Sequence, residues 1–225
     1  MDSPPPTISS AGISKYKAGF ICSVHETLGA PFERVLKYSP GIENDTDVYE
    51  QCDINLTLFA QRRVGKSRPC VVLNSRNVVR SVNGHEPRMQ TDVCLMGTFH
   101  NTPYELLPRI CQHFVIPIRP NPRSTSEGHH MHATPEMSHE NQYIIAIQMT
   151  TERFIKGTWP PAGQGEMPPE PVVHHIEYES MQRLRGLLIE RMEEWERMCE
   201  ADPEFAVRCA VEYRVRNISL RVLSL

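Results

Sequence analysis

The chain has 225 residues, of which 40% are apolar and 23% charged, with a formal net charge of −3. That balance is typical of folded globular proteins and excludes a chain that is basic throughout and binds nucleic acid by bulk charge. No run approaches the roughly 18–20 apolar residues that a membrane-crossing helix needs, which excludes a helical membrane anchor.

The predicted elements follow in chain order. Residues 1–15 open with Met1-Asp2-Ser3-Pro4-Pro5-Pro6, lack the apolar core of a secretory signal, and read as a disordered tail. Ala18–Val24 reads as a first strand. Residues 25–60 are less regular, with Pro31, Pro40, Gly41 and the polar run Glu43–Asp47 marking loops. Within them, Ile54-Asn55-Leu56-Thr57-Leu58 alternates as a half-buried strand does. Pro69–Leu73 and Asp92–Phe99 give two more strands. Leu106–His113 suggests a short helical turn. Phe114–Ile118 is a compact apolar strand, and its Pro117 places it at a sheet edge. Residues 119–142 read as loop, and Tyr143–Met149 as the last strand.

Short strands separated by turn signals predict a mainly β domain over 16–159, a small barrel or sandwich with inserted loops. Pro160, Pro161, Pro168, Pro169 and Pro171 make 160–175 a stiff linker. The remainder, 176–225, reads as a helical appendage. Met181, Leu184, Leu188, Met192, Trp195 and Cys199 step by three or four, Leu187 widens the stripe, and the opposite face is charged. Asp202-Pro203 is a cap and first-turn signal for a second helix, with Val207, Val211, Val215, Ile218 and Val222 as its apolar stripe.

Several chemistries compete. Cysteines at 22, 52, 70, 94, 111, 199 and 209 are odd in number and show no Cys-x-x-Cys spacing. They predict reduced thiols in an intracellular protein, cytoplasmic or nuclear, and make the triplets at Asn44, Asn55 and Asn217 chance matches to the glycosylation pattern. Cys70 and Cys94 lie in apolar strands and read as inert, whereas Cys111 beside His113 stays open as a nucleophile. Arg62, Arg63, Lys66, Arg68, Arg76, Arg80 and Arg88 are opposed between 61 and 90 only by Glu86. Such a stretch either attracts phosphates or pairs with the acidic C-terminal helix. Ala60–Ser67 fits a relaxed phosphate-loop pattern, but a strand with Pro69 follows where a helix is required. His129, His130, His132 and His139, with Glu136 and Glu140 nearby, suit zinc or a harder metal; His129, His132 and His139 are the candidate ligands. The same imidazoles serve equally as general acid/base groups, or simply as exposed loop histidines. Trp195 and the helix methionines read either as packing or as a surface for a protein partner.

Gly65-Lys66-Ser67-Arg68-Pro69-Cys70-Val71-Val72-Leu73 resembles the Gly-x-x-Arg-Pro segment and following strand of the PemK/MazF-like toxins. Ala18–Val24 is similar to that family's opening strand, with Phe20 in place of an acid, and Val93–Phe99 to its strand ending in threonine. The chain also resembles a group of fungal proteins sharing Arg-Pro-Cys-Val at 68–71, Phe-x-Ile-Pro-Ile at 114–118, a His…Thr-Pro-Glu segment at 132–136 and Gln-Tyr-Ile-Ile-Ala at 142–146. The toxin-like resemblance covers about 18–150 and implies an SH3-like barrel, often a homodimer, acting on single-stranded RNA without metal or cofactor. It implies Arg68 and Thr98 as catalytic residues: Arg68 stabilises the charge of the phosphorane formed when the ribose 2′-OH attacks, and Thr98 contacts the scissile phosphate. Arg62, Arg63, Lys66 and Arg76 are the expected RNA-binding residues. The competing reading is a non-catalytic interaction protein that uses the same groove and the C-terminal helices.

Overall fold

The structure is a computed structural model that describes residues 16–61, 66–78, 88–123, 131–151, 153, 155, 157–159 and 173–222, with the side chains at 76–78, 88–89 and 217–222 outside the description. Along the chain come β1 (Ile21–Val24), α1 (Gly29–Lys37), α2 (Thr46–Gln61), β2 (Arg68–Val78), β3 (Arg88–Gly97), α3 (Arg109–Phe114) and β4 (Val115–Pro117). They are followed by β5 (Ala133–Thr134), β6 (Tyr143–Ile145), β7 (Met149–Thr151), β8 (Gly157–Thr158), β9 (His175–Ile176), α4 (Tyr178–Ala201) and α5 (Phe205–Val222).

The long apolar strands set the centre. β2 and β3 pair antiparallel, with Cys70 opposite Leu95 and Val71 opposite Cys94. Successive side chains on a strand face opposite ways. Cys70 and Val72 enter one core layer with α1, α2, α3 and α5, while Val71 and Leu73 enter a second layer on the other face. Burial on both faces is why Pro69–Leu73 is a continuous apolar run rather than an alternating one.

Strand order is β4-β6-β3-β2-β1-β8, with β7 also on β3. β6 and β7 meet the same edge of β3 in tandem, β6 at Met96 and Gly97 and β7 at Thr91 to Val93. β5 and β9 form a separate pair. β4 lies at the sheet edge, as its proline requires.

The mainly β, barrel-like expectation is corrected here. The seven-stranded sheet is antiparallel and open, its outer strands β4 and β8 unpaired with each other, and about 48% of the described residues are helical. The SH3-like barrel fails on the stretch expected to be loop and strand, because residues 29–61 are largely helix. Asp45 Oδ1 accepts the Val48 N–H at 3.0 Å, an N-cap bond that starts α2. The α2 face turned inward carries Val48 and Cys52, with Phe59 packed against the same layer. Ile54 and Leu58 are 51% and 43% exposed, so the alternation that suggested a strand is made by side chains outside the core.

The C-terminal helices belong to the body rather than hanging from it. Met181, Leu184 and Leu187 of α4 fill one layer, and Trp195 and Cys199 the other. At 1.5 Å per residue this helix is ~36 Å long, enough to reach both. Trp195 donates through Nε1 to Ser39 Oγ at 2.8 Å, and Ser39 donates to the Val35 carbonyl at 2.7 Å. Its ring meets Phe114 at 5.5 Å and Phe205 at 5.3 Å between centroids.

α5 begins after Asp202 as expected, but its buried face is Ala206, Cys209, Ala210 and Tyr213. Val211 and Val215 are 50% and 59% exposed. The small side chains at 206, 209 and 210 let the helix approach α1, α3 and α4 closely, a contact that bulkier valines would hold apart. The expected tail at 1–15 and residues 160–172 of the expected linker lie outside the described residues. Among the described residues, no helix is long and apolar enough to cross a membrane.

Gly41 joins the short turn before α2 to the α4–α5 corner. Its φ is +88°, and a Cβ there would lie 2.3 Å from the Pro203 carbonyl oxygen. Gly41→Ala is therefore expected to lower unfolding free energy by about 1–3 kcal/mol, through the left-handed conformation and the backbone clash together. Denaturant unfolding checks this, and a change below about 0.5 kcal/mol contradicts the packing described.

Candidate functional site

A cleft of about 420 Å³ opens where α1, α2, α5 and the end of β3 come together. One wall is the start of α1: Thr27, Leu28 and Gly29. Leu28 is the N-cap residue and supplies no side-chain cap, and the first turn holds no acid. In that first turn the Ala30 N–H is bonded to the Thr27 carbonyl at 3.0 Å and Pro31 has no N–H, so what the end offers an anion is chiefly the aligned peptide dipoles. A Cβ at Gly29 would sit tightly, 3.0 Å from Tyr213 Oη and 3.3 Å from the Phe59 ring, both part of the wall.

Arg68 reaches the cleft from the first residue of β2. Its Nε donates to the Glu26 carbonyl at 3.1 Å, two residues before the N-cap of α1. No described residue accepts from its terminal nitrogens, and burial lowers its pKa. The cation is thus fixed at Nε, partly stripped of water and, among the described residues, without an acceptor at its terminal nitrogens.

Its support is an ion pair between a buried carboxylate and a half-buried arginine. Glu26 is buried; Thr151 donates to Oε1 at 2.7 Å, and Arg153 Nε lies 3.4 Å from Oε2. Arg153 also donates to the His25 carbonyl at 2.7 Å and to the Phe59 carbonyl. One guanidinium therefore ties the end of β1, β7 and the end of α2 into one frame behind Arg68.

A second polar group lines the inner wall. Glu33 of α1 is 3% exposed. Asn55 of α2 donates to its Oε1 at 2.9 Å, while Oε2 has no partner. Burial pushes this carboxyl up, and the Cys52 thiol, Arg214 and Asn55 pull it back. Arg214 of α5 donates through Nη2 to the Val48 carbonyl at 3.1 Å and to Cys52 Sγ at 3.3 Å, leaving a buried Nε without a partner.

The third wall is unusual backbone. Phe99, His100 and Asn101 have φ values of 48°, 58° and 58°, three consecutive non-glycine residues in the left-handed region. That conformation costs about 1–2 kcal/mol per residue and concentrates at functional sites. The turn is held by Asn101 N–H to the Thr98 carbonyl at 2.8 Å, and it places Phe99 and His100 in the cleft.

The β2–β3 register brings Arg68 and Thr98 to the same sheet end: continuing from Cys70 opposite Leu95, Arg68 falls opposite Gly97, one residue from Thr98. Arg68 lines the cleft and Thr98 does not; its neighbours Phe99 and His100 take that place. Lys66 is exposed beside Arg68 in sequence. Arg62 and Arg63 lie outside the described residues, and Arg76 is described only as backbone within β2. His129 and His130 also lie outside. His132 donates its backbone N–H to Ser180 Oγ at 3.0 Å, and His139 is exposed. No group of three potential ligands for a metal ion occurs among the described residues. Glu26, Glu33, His100, Arg153 and Arg214 were not singled out in the sequence. They come from separate elements, and only the polar residues at helical spacing around Asp45 could have exposed α2 and so Asn55.

Comparison with family models, with curated proteins and with solved structures found no match to this chain.

All seven cysteines are free and buried. Burial pushes the Cys22 and Cys52 thiols up to about 12, and Cys199 and Cys209 to about 11. Cys70, Cys94 and Cys111 are pushed higher still. Cys111 lines the cleft, yet a thiol held protonated is a poor nucleophile. The unfolded chain ionises its thiols near the ordinary value of 9.0 and the fold does not. Stability is therefore complete below that pH and falls above it, by about 1.4 kcal/mol per pH unit for each such thiol. Unfolding titrations in reductant between pH 8 and 11 are expected to show this decline. Native iodoacetamide labelling at pH 8 should run at least about tenfold slower than labelling in urea; an unretarded thiol contradicts this account.

Proposed function

We propose that the cleft binds a ligand of the nucleotide class, a phosphate joined to a planar ring, either as a free nucleotide or as a unit of single-stranded RNA. The observation that carries this reading is Arg68: its guanidinium is anchored through Nε beside the start of α1, it lines the cleft, and among the described residues nothing accepts from its terminal nitrogens. A phosphate there receives a charge-assisted fork from arginine and the favourable end of a helix dipole. Phe59 and Phe99, both half-buried in the lining, offer rings for base stacking, worth about 1–3 kcal/mol per base. A cleft of about 420 Å³ accommodates one such unit.

His100 in the same cleft favours a second step, metal-independent cleavage of bound RNA. His100 takes the proton of a ribose 2′-OH, whose oxygen attacks the adjacent phosphorus. The bond from phosphorus to the 5′ oxygen breaks, and that oxygen leaves with a proton from water. The products are a 2′,3′-cyclic phosphate and a 5′-hydroxyl. Arg68 stabilises the doubly charged phosphorane on the way, as a fixed donor does for any oxyanion.

The test uses mixed-sequence single-stranded RNA in EDTA. Retention that weakens as salt rises and falls about 10–100-fold in Arg68→Ala is the expected result. His100→Ala should keep binding and lose any cleavage. Equal binding by wild type and Arg68→Ala, or none by either RNA or free nucleotides, overturns the proposal.

A further inference from the structure

A second hollow, of about 330 Å³, lies on the next face of α5, lined by Arg109, Arg208, Cys209, Glu212 and Arg216. It meets the cleft at adjacent residues of the chain. Pro108 lines the cleft and Arg109 the hollow; Tyr213 lines the cleft and Glu212 the hollow. Bonded neighbours have Cα atoms about 3.8 Å apart, so the two cavities stand back to back. Charge in the hollow is out of balance. Among the described residues Glu212 is the one carboxylate in its lining, and it serves two arginines: Oε1 lies 3.1 Å from Arg216 and Oε2 3.9 Å from Arg109 Nε. Arg216 is pinned further by the Leu106 and Leu107 carbonyls, at 2.6 and 3.1 Å. Arg208 is held by Asp202 and, at 3.7 Å, by Glu204. Arg109 differs from both. Its side chain is 68% exposed, and among the described residues its guanidinium has no hydrogen bond.

We infer that the hollow is a second phosphate subsite, and that cleft and hollow together take separate phosphates of one single strand of RNA rather than a free nucleotide. The inference rests on the nucleotide reading above and deepens it: Arg68 holds a phosphate in the cleft, and Arg109 holds another beyond the wall. Two guanidinia facing one carboxylate leave a positive charge for an anion to neutralise, and phosphate oxygens suit the planar fork of arginine. A nucleoside monophosphate seated in the cleft has no group left for the hollow. A strand carries a phosphate at every unit and so reaches both. Exposed ion pairs stabilise a fold little, so loss of the Arg109 side chain leaves the body intact and isolates the contact with the ligand.

The probes are a mixed-sequence RNA octamer with 2′-O-methyl riboses, which has no 2′-OH to attack, and a mixture of ribonucleoside monophosphates, each titrated in EDTA against the intact protein. The octamer should bind at least about tenfold tighter than the monophosphates. In Arg109→Ala its affinity should fall about 3–10-fold near about 0.1 M salt, and the slope of log K against log salt should become shallower by about 0.7, the value of one single-strand contact. Monophosphate affinity should stay within about twofold. Arg68→Ala should weaken both probes. Arg185, exposed on α4 outside both cavities, is the control: Arg185→Ala removes the same charge and should leave octamer binding unchanged. Octamer affinity that survives Arg109→Ala, falls equally in Arg185→Ala, or never exceeds that of the monophosphates overturns the inference while the phosphate reading of Arg68 stands. Binding of neither probe removes both.

Discussion

Glu26 carries a charge where water has little access, and the fold answers it from three directions. Thr151 and Arg153 hold its carboxylate, and its carbonyl receives Arg68. A buried carboxylate without its cation leaves an uncompensated charge that costs several kcal/mol, so β7 and the segment after it must stay in place for β1, α1 and the end of α2 to stay in theirs. The arrangement also decides what Arg68 can do. Its Nε donates to a backbone carbonyl, which fixes the plane of the guanidinium, and the Glu26 carboxylate is already engaged with Arg153.

How the layers form follows from the same local rules. Strands that read as unbroken apolar runs, Pro69–Leu73 and Val93–Met96, lie between two packed faces. They were legible because nothing on either side of them is wet. The α4 stripe from Met181 to Cys199 was legible because a three-four spacing over five turns has no other explanation. α2 was not, because its solvent face carries Ile54 and Leu58, which with half-buried Leu56 imitate a strand, while its inward face carries polar Asn55 and small Cys52. The start of α5 was written in Asp202-Pro203, but its inward face was misread. Close packing selected Ala206, Cys209 and Ala210, and hydropathy alone points to the valines beside them.

The cleft was legible in one residue. Arg68 stands out because a charged side chain begins an apolar strand next to a turn. Its companions come from α1, α2, α5 and the turn after β3, and no linear pattern joins Glu33 to Asn55, His100 and Arg214. Thr98 follows β3 at the end that borders the cleft, yet the backbone after it turns left-handed and the next two side chains line the cleft instead. The barrel implied by the resemblance failed for a related reason: short strand signals do not reveal that helices fill the intervals between them.

α4 contributes side chains to the packing on both sides of the sheet. A rod shared in this way cannot detach from one side without withdrawing Trp195 or Leu184 from the other. Half-folded forms that keep a single intact layer are thereby deprived of the element both would need, and loss of order is expected to spread through the whole body in one cooperative event.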